Sequence, residues 1–543
     1  MSEAGQDSNQ WESIFQRAVQ LHGSGNLAEA GTLFSSIVEH NPTHFPSLHR
    51  LAAIRRHQGQ LEESLALLKQ AIGCNPSSAD AHNSLGNTYN SMGRQEDAVD
   101  QYRCALALRP DFPEAHLNLG NSLKVLGRYE DAAASYSAAI ALRPQYAEAH
   151  SNLGIVLVRM NRPQEAIGSF TAAISLDPTV TMVYSNLGAA LTALNRHEEA
   201  IPILQRARQL DPAATQPVFN EALARLAIGD YERGWPDYEA RWLAPETKIK
   251  ARDFRQPLWD GEAEVAGKAI LLHAEQGLGD MMLLARYVPL VVERGARVIL
   301  EVQKPLTTLM RRIPGTAQVL TYGDELPDFD LHAPFGSLPL AFKTTLDNIP
   351  ADVPYLQAPD ESPAIVDIDS GSEPQLRVGV CWAGNAGYAN DHNRSIALSR
   401  FQRLLNVPNI RFVSLQPDLR PGDDRMLAGF ENIDLTSIRK ASSLADTAAL
   451  ISKLDLVVTV DTAVAHLTGA LGRPVWILLP NFAHWIWLRY RTDSPWYPTA
   501  QLFRQPSIGD WESVIERVAE MLKQTVSSRA ARIGSAAPIS ASI

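Results

Sequence analysis

Residues 115–132 read Ala115-His-Leu-Asn-Leu-Gly-Asn-Ser-Leu-Lys-Val-Leu-Gly-Arg-Tyr-Glu-Asp-Ala132. Leu117, Leu119, Leu123 and Leu126 fall on one helical stripe. Gly127 is expected to end that helix, because the left-handed residue after a helix costs least as glycine. A second helix is predicted from about Tyr129 to Leu142, with Pro144 stopping it. The same unit recurs on both sides: Pro42, Pro76, Pro110, Pro144, Pro178 and Pro212 stand 34 positions apart. Gly25, Gly59, Gly93, Gly127 and Gly229 keep that period, with Asn161 and Asn195 filling the two gaps. Asparagine tolerates the left-handed conformation better than most residues. Gly120, Ala132 and Ala139 are small where neighbouring helices must approach closely.

A 34-residue helix–turn–helix unit with this pattern resembles the tetratricopeptide repeat. Such units stack into a superhelix with a concave groove, because none can bury its apolar face alone. Asn118, Asn152, Asn186 and Asn220 share one register of the repeat, which Ser84 and Arg50 continue upstream. A row of amides carries both donors and acceptors, so it can hold an extended peptide backbone. The alternative is that these amides bond between repeats. The register resembles the asparagine ladder of eukaryotic O-GlcNAc transferase, which implies a peptide acceptor in the groove.

At 543 residues the chain has room for several domains. Its formal net charge of −11 disfavours a nucleic-acid surface. No apolar run is long enough to span a bilayer, and the polar start carries no signal peptide. Cys74, Cys104 and Cys381 show neither metal nor disulfide spacing, so no metal is expected and a reducing cytoplasm fits.

After Gly229 the repeat is replaced by a segment carrying Trp235, Tyr238 and Trp242, read as a capping helix. An irregular linker follows, with Trp259 as its anchor. From Lys268, short apolar runs alternate with helical stretches: 269–274, 297–302 and 317–321, then, beyond a Pro/Asp/Ser-rich linker at 350–375, 377–382, 410–415, 454–460 and 474–480. That alternation predicts parallel sheets with crossover helices, arranged as two Rossmann-like halves. The fold class is therefore multidomain, an all-α repeat superhelix followed by an α/β region. The expected boundaries are 11–245 for the array and cap, 250–365 and 374–525 for the two halves, and a disordered tail at 526–543.

Four motifs in the α/β region bear on chemistry. Gln276-Gly277-Leu-Gly279-Asp280 follows the first strand, where ligands bind in open α/β folds. Asp280 there is either a proton acceptor or an ordinary helix cap. Asp461-Thr462-Ala-Val-Ala-His466 joins a buried strand to a helix whose free N–H groups suit a phosphate. Thr462 and His466 share one helix face, and Val464, Leu467 and Leu471 another. His466 either meets a ligand or is structural. A Gly/Asn-rich loop from Cys381 ends in Arg394, which would oppose phosphate charge. Trp485, Trp487, Tyr490, Trp496 and Tyr497 either stack a nucleobase or pack.

Together the motifs resemble the heptosyltransferases of glycosyltransferase family 9 and the wider GT-B fold, over roughly residues 268–525. The resemblance implies an inverting, metal-independent transfer from a nucleotide sugar. Asp280 would be the base, and Gly277, Gly279, Arg394, Asp461, Thr462 and His466 would line the donor site. The sugar nucleotide is a co-substrate and no other cofactor is called for. Ala463 departs from the family, which has glycine there. The overall plan resembles O-GlcNAc transferase and repeat-containing flagellin glycosyltransferases, and implies a bacterial-type cytoplasmic enzyme with a protein or peptide acceptor. A glycan- or lipid-linked acceptor, or a scaffold with an inactive transferase-like domain, are the alternatives.

Overall fold

The computed structural model describes residues 3–535 except 248, 363–374 and 389, with side chains described from 10 to 529. The chain divides into two compact units, Met1–Leu191 and Thr192–Ile543.

The first unit is all helical. Helix pairs follow the repeat: Ala79–Ser91 with Gln95–Leu108, Pro113–Val125 with Tyr129–Leu142, and Ala147–Arg159 with Pro163–Leu176. Gly127 stands at φ +74, and Asn161 takes over its role at φ +58, as the turn chemistry requires. Within each pair the helices touch where a side chain is missing. A Cβ on Gly86, Gly120 or Gly154 would stand 2.5–2.6 Å from the ring of Tyr102, Tyr136 or Phe170. Those rings, with Ala132 and Ala139, are wholly buried.

The second unit opens with the hairpin His197–Leu210 and Thr215–Ile228, then the cap Tyr231–Tyr238 and a 3-10 turn at Glu239–Trp242. Two parallel sheets follow. One has strands β1 (Ala269–His273), β2 (Arg297–Val302), β3 (Thr316–Thr321) and β4 (Leu331–Pro334), in the order β3-β2-β1-β4. The other has β5 (Leu376–Cys381), β6 (Ile410–Ser414), β7 (Ile433–Asp434), β8 (Leu456–Val460), β9 (Val475–Leu479) and β10 (Ala500–Arg504), in the order β10-β9-β8-β5-β6-β7. The strand order reverses between β1 and β4 in the first sheet and between β5 and β8 in the second. Those switch points open crevices at the carboxyl ends of the strands.

The structure differs from the sequence expectation in three places. The short edge strands β4, β7 and β10 were not expected. The compact division falls at 191/192 rather than near 245, because Ala222, Leu226, Trp235 and Tyr238 share one apolar core with Ile270 and Met281. Finally, Trp511–Ser535 is a single helix, so residues 526–535 are helical rather than a disordered tail. Its Trp511, Val514, Ile515, Val518 and Leu522 pack with Val378 and Val458, and Arg529 pairs with Asp455 at 3.1 Å. Residues 536–543, and residues 363–374 of the 350–375 linker, lie outside the described residues. The described part of that linker runs beside the second sheet, where the Tyr355 and Leu356 amides donate to the Ala470 carbonyl. No helix among the described residues is long and apolar enough to cross a membrane.

Candidate active site

Strand β1 is buried along its length and delivers the chain into the turn Glu275–Asp280. Gly277 starts the helix Leu278–Leu284, and Asp280 sits at its third position rather than at the cap itself. The carboxylate reaches back, and the Gly277 amide donates to its Oδ2 at 3.2 Å. That bond uses one oxygen; Asp280 is half-buried, and its other oxygen has no partner among the described residues.

The turn is braced from below by charge. Arg241 in the cap is wholly buried, and its guanidinium donates to both Glu275 oxygens (3.0 and 3.2 Å), to Glu239 Oε1 (2.6 Å) and to Ser337 Oγ (2.8 Å). Burial pushes the Glu275 carboxyl up, and Arg241 opposes that shift. Gln276 Nε2 donates to the Tyr238 hydroxyl at 2.8 Å. Sequence reasoning missed Glu275 and Arg241. A carboxylate directly preceding the Gly-x-Gly turn was the available signal, but its partner lies 34 residues upstream.

Strand β8, also fully buried, leads into Asp461 and Thr462, and then the helix Ala463–Ala470. Thr462 caps that helix by backbone geometry alone. Its hydroxyl lies 3.3 Å from Thr459 Oγ1. The Ala465 amide bonds the Thr462 carbonyl, and the Ala463 and Val464 amides at the helix start have no partner among the described residues. Val464, Leu467 and Leu471 are core, as their shared face implied. Burial raises the Asp461 carboxyl; His484 and Arg394 oppose that, and the Asp280 carboxylate adds to it.

His466 is buried, with its ring stacked on Trp487 (centroids 5.5 Å apart) and its Nδ1 3.0 Å from the Tyr497 hydroxyl. Burial, then His484, Arg286 and Arg394, push its pKa down to about 3, so the ring is neutral at physiological pH. The ring faces the first turn: a Cβ on Gly279 would stand 2.7 Å from His466 Cδ2. Glycine at 279 is therefore a packing requirement as well as a turn device.

The loop after β5 completes the constellation. Arg394 Nη1 donates to the Asp461 carbonyl at 3.1 Å, its Nε meets Asp391 Oδ1 at 3.3 Å, and its guanidinium lies 4.5 Å from the Tyr388 ring centroid. Asp391 is buried and also pairs with Arg420, while Ser395 Oγ donates to it at 2.8 Å. Gly277, Gly279, Asp280, Arg394, Asp461, Thr462 and His466 are thus gathered at one crevice.

The aromatic cluster is mostly packing. Trp485, Trp487, Trp496 and Tyr497 are buried, whereas Tyr490 is 76% exposed. Arg504 Nη2 donates to the Trp487 and Leu488 carbonyls and so holds Trp487 under His466.

The groove asparagines lie elsewhere. In the first unit, Asn118 Nδ2 donates to Asn83 Oδ1 and Asn152 Nδ2 to Asn121 Oδ1, each at 3.1 Å, and Lys124 Nζ donates to Asn152 Oδ1 at 3.0 Å. These two amides bond between repeats. Asn186 is half-buried and has no side-chain partner among the described residues. Asn220, in the second unit, accepts from Gln216 Nε2 at 3.0 Å.

Family models match parts of both regions of the chain. Family models for the tetratricopeptide repeat match residues 53–161 in three overlapping copies and residues 151–215. The glycosyltransferase family 9 (heptosyltransferase) model matches residues 423–479, which include Asp461 to His466 but neither Asp280 nor Arg394. Protein FlbA of Caulobacter vibrioides is 26% identical over 330 residues, covering 55% of this chain. The match spans about half (54%) of that protein. Among solved structures, YrrB, described as a tetratricopeptide protein with an unusual peptide-binding site, is 23% identical. It covers 35% of this chain and 98% of its own, with a TM-score of 0.32. PilF of Pseudomonas aeruginosa is 22% identical over 37% of this chain and 92% of its own, with a TM-score of 0.34. The chain therefore carries tetratricopeptide repeats over residues 53–215 and, within its C-terminal α/β region, a stretch at 423–479 similar to glycosyltransferase family 9.

Proposed function

We propose that this protein is a glycosyltransferase that moves a sugar from a nucleotide-sugar donor to a hydroxyl of a protein acceptor recruited by the repeats. The observation that carries the reading is the meeting of the two motif turns, with His466 packed on Gly279 and Asp280 within electrostatic reach of Asp461. The acceptor hydroxyl gives its proton to the spare oxygen of Asp280, and its oxygen attacks the anomeric carbon. The bond from that carbon to the diphosphate breaks, and the nucleoside diphosphate leaves with the electron pair. Arg394 and the free amides at the start of Ala463–Ala470 oppose the charge that develops. A base and a leaving group on opposite walls favour inversion, and fixed cations and amides do the work of charge neutralisation.

The test is calorimetric titration of the full chain with a panel of nucleoside diphosphates and nucleotide sugars. Selective binding that Arg394→Ala abolishes supports the donor site. Transfer to a protein acceptor should then fall at least a hundredfold in Asp280→Asn, at the lower end of what a positioned base contributes, with donor binding kept. Full transfer in that variant would remove Asp280 as the base.

A further inference from the structure

His466 can donate a hydrogen bond through Nε2 in only one of its neutral forms, and a chain of groups behind it decides which. Arg286 is buried and pairs with no carboxylate among the described residues. Its Nε donates to the Leu283 carbonyl (2.8 Å), Nη1 to the Trp496 (2.6 Å) and Pro350 (3.2 Å) carbonyls, and Nη2 to the Tyr355 hydroxyl (3.1 Å). The Tyr355 hydroxyl stands 3.4 Å from that of Tyr497, and the Tyr497 hydroxyl 3.0 Å from His466 Nδ1. The guanidinium also lies 4.9 Å from the Tyr355 ring centroid and 4.8 Å from that of Tyr497.

Arginine has no acceptor, so Tyr355 must accept from it. Among the described residues, the Tyr497 hydroxyl is the acceptor that the Tyr355 proton can reach. Tyr497 accepts it and turns its own proton to the remaining neighbour, Nδ1 of His466. Reversing the order would aim both an Arg286 N–H and the Tyr497 hydroxyl proton at the half-buried Tyr355 oxygen and leave the Tyr355 proton without an acceptor among the described residues, an arrangement that polar groups removed from water avoid. We propose that Arg286, Tyr355 and Tyr497 are positioning residues that hold His466 as its Nε2–H tautomer, a hydrogen-bond donor to the leaving diphosphate.

The remaining geometry agrees. The Cδ2–Nε2 edge of the imidazole is the edge turned to Gly279, since the same added Cβ would lie 3.2 Å from Nε2. Nε2 has no hydrogen-bond partner among the described residues, so its proton is free for a ligand. Trp487 on one face and the Tyr497 ring, edge-on with centroids 5.9 Å apart, prevent the imidazole from turning over. The burial that keeps the ring neutral at neutral pH makes the tautomer, rather than the charge, the quantity the relay controls.

This inference deepens the transferase reading, and its first readout is independent of that reading. Full-length protein labelled with 15N-histidine is examined by two-bond 15N–1H correlation, with the His466 signals assigned by their loss in His466→Gln. The expected pattern in the wild type is protonated Nε2 and bare Nδ1. Tyr497→Phe should convert it to a mixture of tautomers, and Tyr355→Phe should do so partly. The two Phe variants keep the ring that packs, and their thermal unfolding controls for fold. A wild-type signal with protonated Nδ1, or an unchanged pattern in Tyr497→Phe, overturns the relay. Binding of inorganic pyrophosphate is the second readout. It should weaken about tenfold in Tyr497→Phe, the loss expected for one hydrogen bond to a charged group. The expected tautomer with equal pyrophosphate affinity in both proteins overturns the diphosphate role. The expected tautomer in a wild type that binds neither pyrophosphate nor any nucleotide overturns the transferase reading and leaves the relay standing.

Discussion

Polar side chains do opposite work in the two units. In the repeats many of them satisfy one another. Asn121 Oδ1 accepts from both Asn152 and the Tyr136 hydroxyl, and Asn87 Oδ1 accepts from the Tyr102 hydroxyl. One repeat later both partners change together, to Ile155 beside Phe170. In the crevice of the second unit, polar atoms are held in place and left over: one oxygen of Asp280, the Nε2 of His466 and two helix-start amides. Polar groups that satisfy one another stabilise a fold. Groups that a fold has ordered without satisfying are the ones that can recognise a ligand.

The largest expected difference between the units appears in acid. His197, His273 and His466 are buried in the second unit, and burial lowers their pKa values to about 4, about 3 and about 3. Among the described residues His197 has no side-chain hydrogen-bond partner on either ring nitrogen, and His273 none on Nδ1. On unfolding, each imidazole regains its ordinary affinity for a proton. The unfolded chain therefore binds more protons as pH falls below 6.5, and stability falls with it, until the folded-state value near 3 to 4 is reached. Each histidine contributes about 1.4 kcal/mol per pH unit within that window. The effect is absent above pH 7. Hydrogen exchange between pH 7 and 4.5 should show residues 197–500 losing protection before residues 45–176. Uniform loss would break the comparison.

Next in size is a buried charge. Arg241→Met leaves Glu275 buried without its cation, which costs about 3–5 kcal/mol. The control is Arg109→Met in the repeats, where the Arg109–Asp80 pair is 38% and 55% exposed and the expected cost is under about 1 kcal/mol. Urea unfolding of both variants compares the two. A small loss for Arg241→Met would mean the Glu275–Asp280 turn does not depend on the cap.

The third comparison places the same atom in both units. A Cβ on Gly120 meets Tyr136 at 2.6 Å, and one on Gly279 meets His466 at 2.7 Å. Gly120→Ala and Gly279→Ala should each lose about 1–3 kcal/mol to overpacking. Only Gly279→Ala should also weaken nucleotide binding, because only there is the displaced group, His466, one proposed to meet the ligand. Titration and thermal unfolding of the pair read both effects.

How much of this was legible in the sequence follows from how far apart the partners lie. Gly127 and Asn161 announced their left-handed turns because a helix end is set by its own few residues. The helix Tyr129–Leu142 was placed to the residue, since the period repeats the evidence several times. Central strands β1, β2, β5, β8 and β9 were visible as apolar runs. The edge strands β4, β7 and β10 were not, because each is short or carries polar residues. In the site, Asp461 to His466 stood out as a motif, yet its neighbours Arg286, Tyr355 and Tyr497 lie far along the chain and only folding joins them. The aromatic cluster was recognisable as a cluster. That Tyr497 orders a histidine, while Tyr490 faces solvent, is decided by three-dimensional packing alone.

The smallest expected effect separates structure from recognition within the asparagine register itself. Asn118 and Asn152 each hold a neighbouring repeat, so Asn118→Ala or Asn152→Ala should lose about 1 kcal/mol, the usual net worth of such a bond. Asn186 holds nothing among the described residues, so Asn186→Ala should leave stability within about 0.5 kcal/mol of the wild type. If the register grips a peptide, the variant that is silent in unfolding should lose affinity for the protein acceptor, with donor binding unchanged. If Asn186→Ala transfers sugar at the full rate with an unchanged acceptor KM, the register serves only to tie repeats together. Acceptor choice would then rest on other groove residues, with the exposed Val125, Val158 and Met182 of the same helices the first to replace.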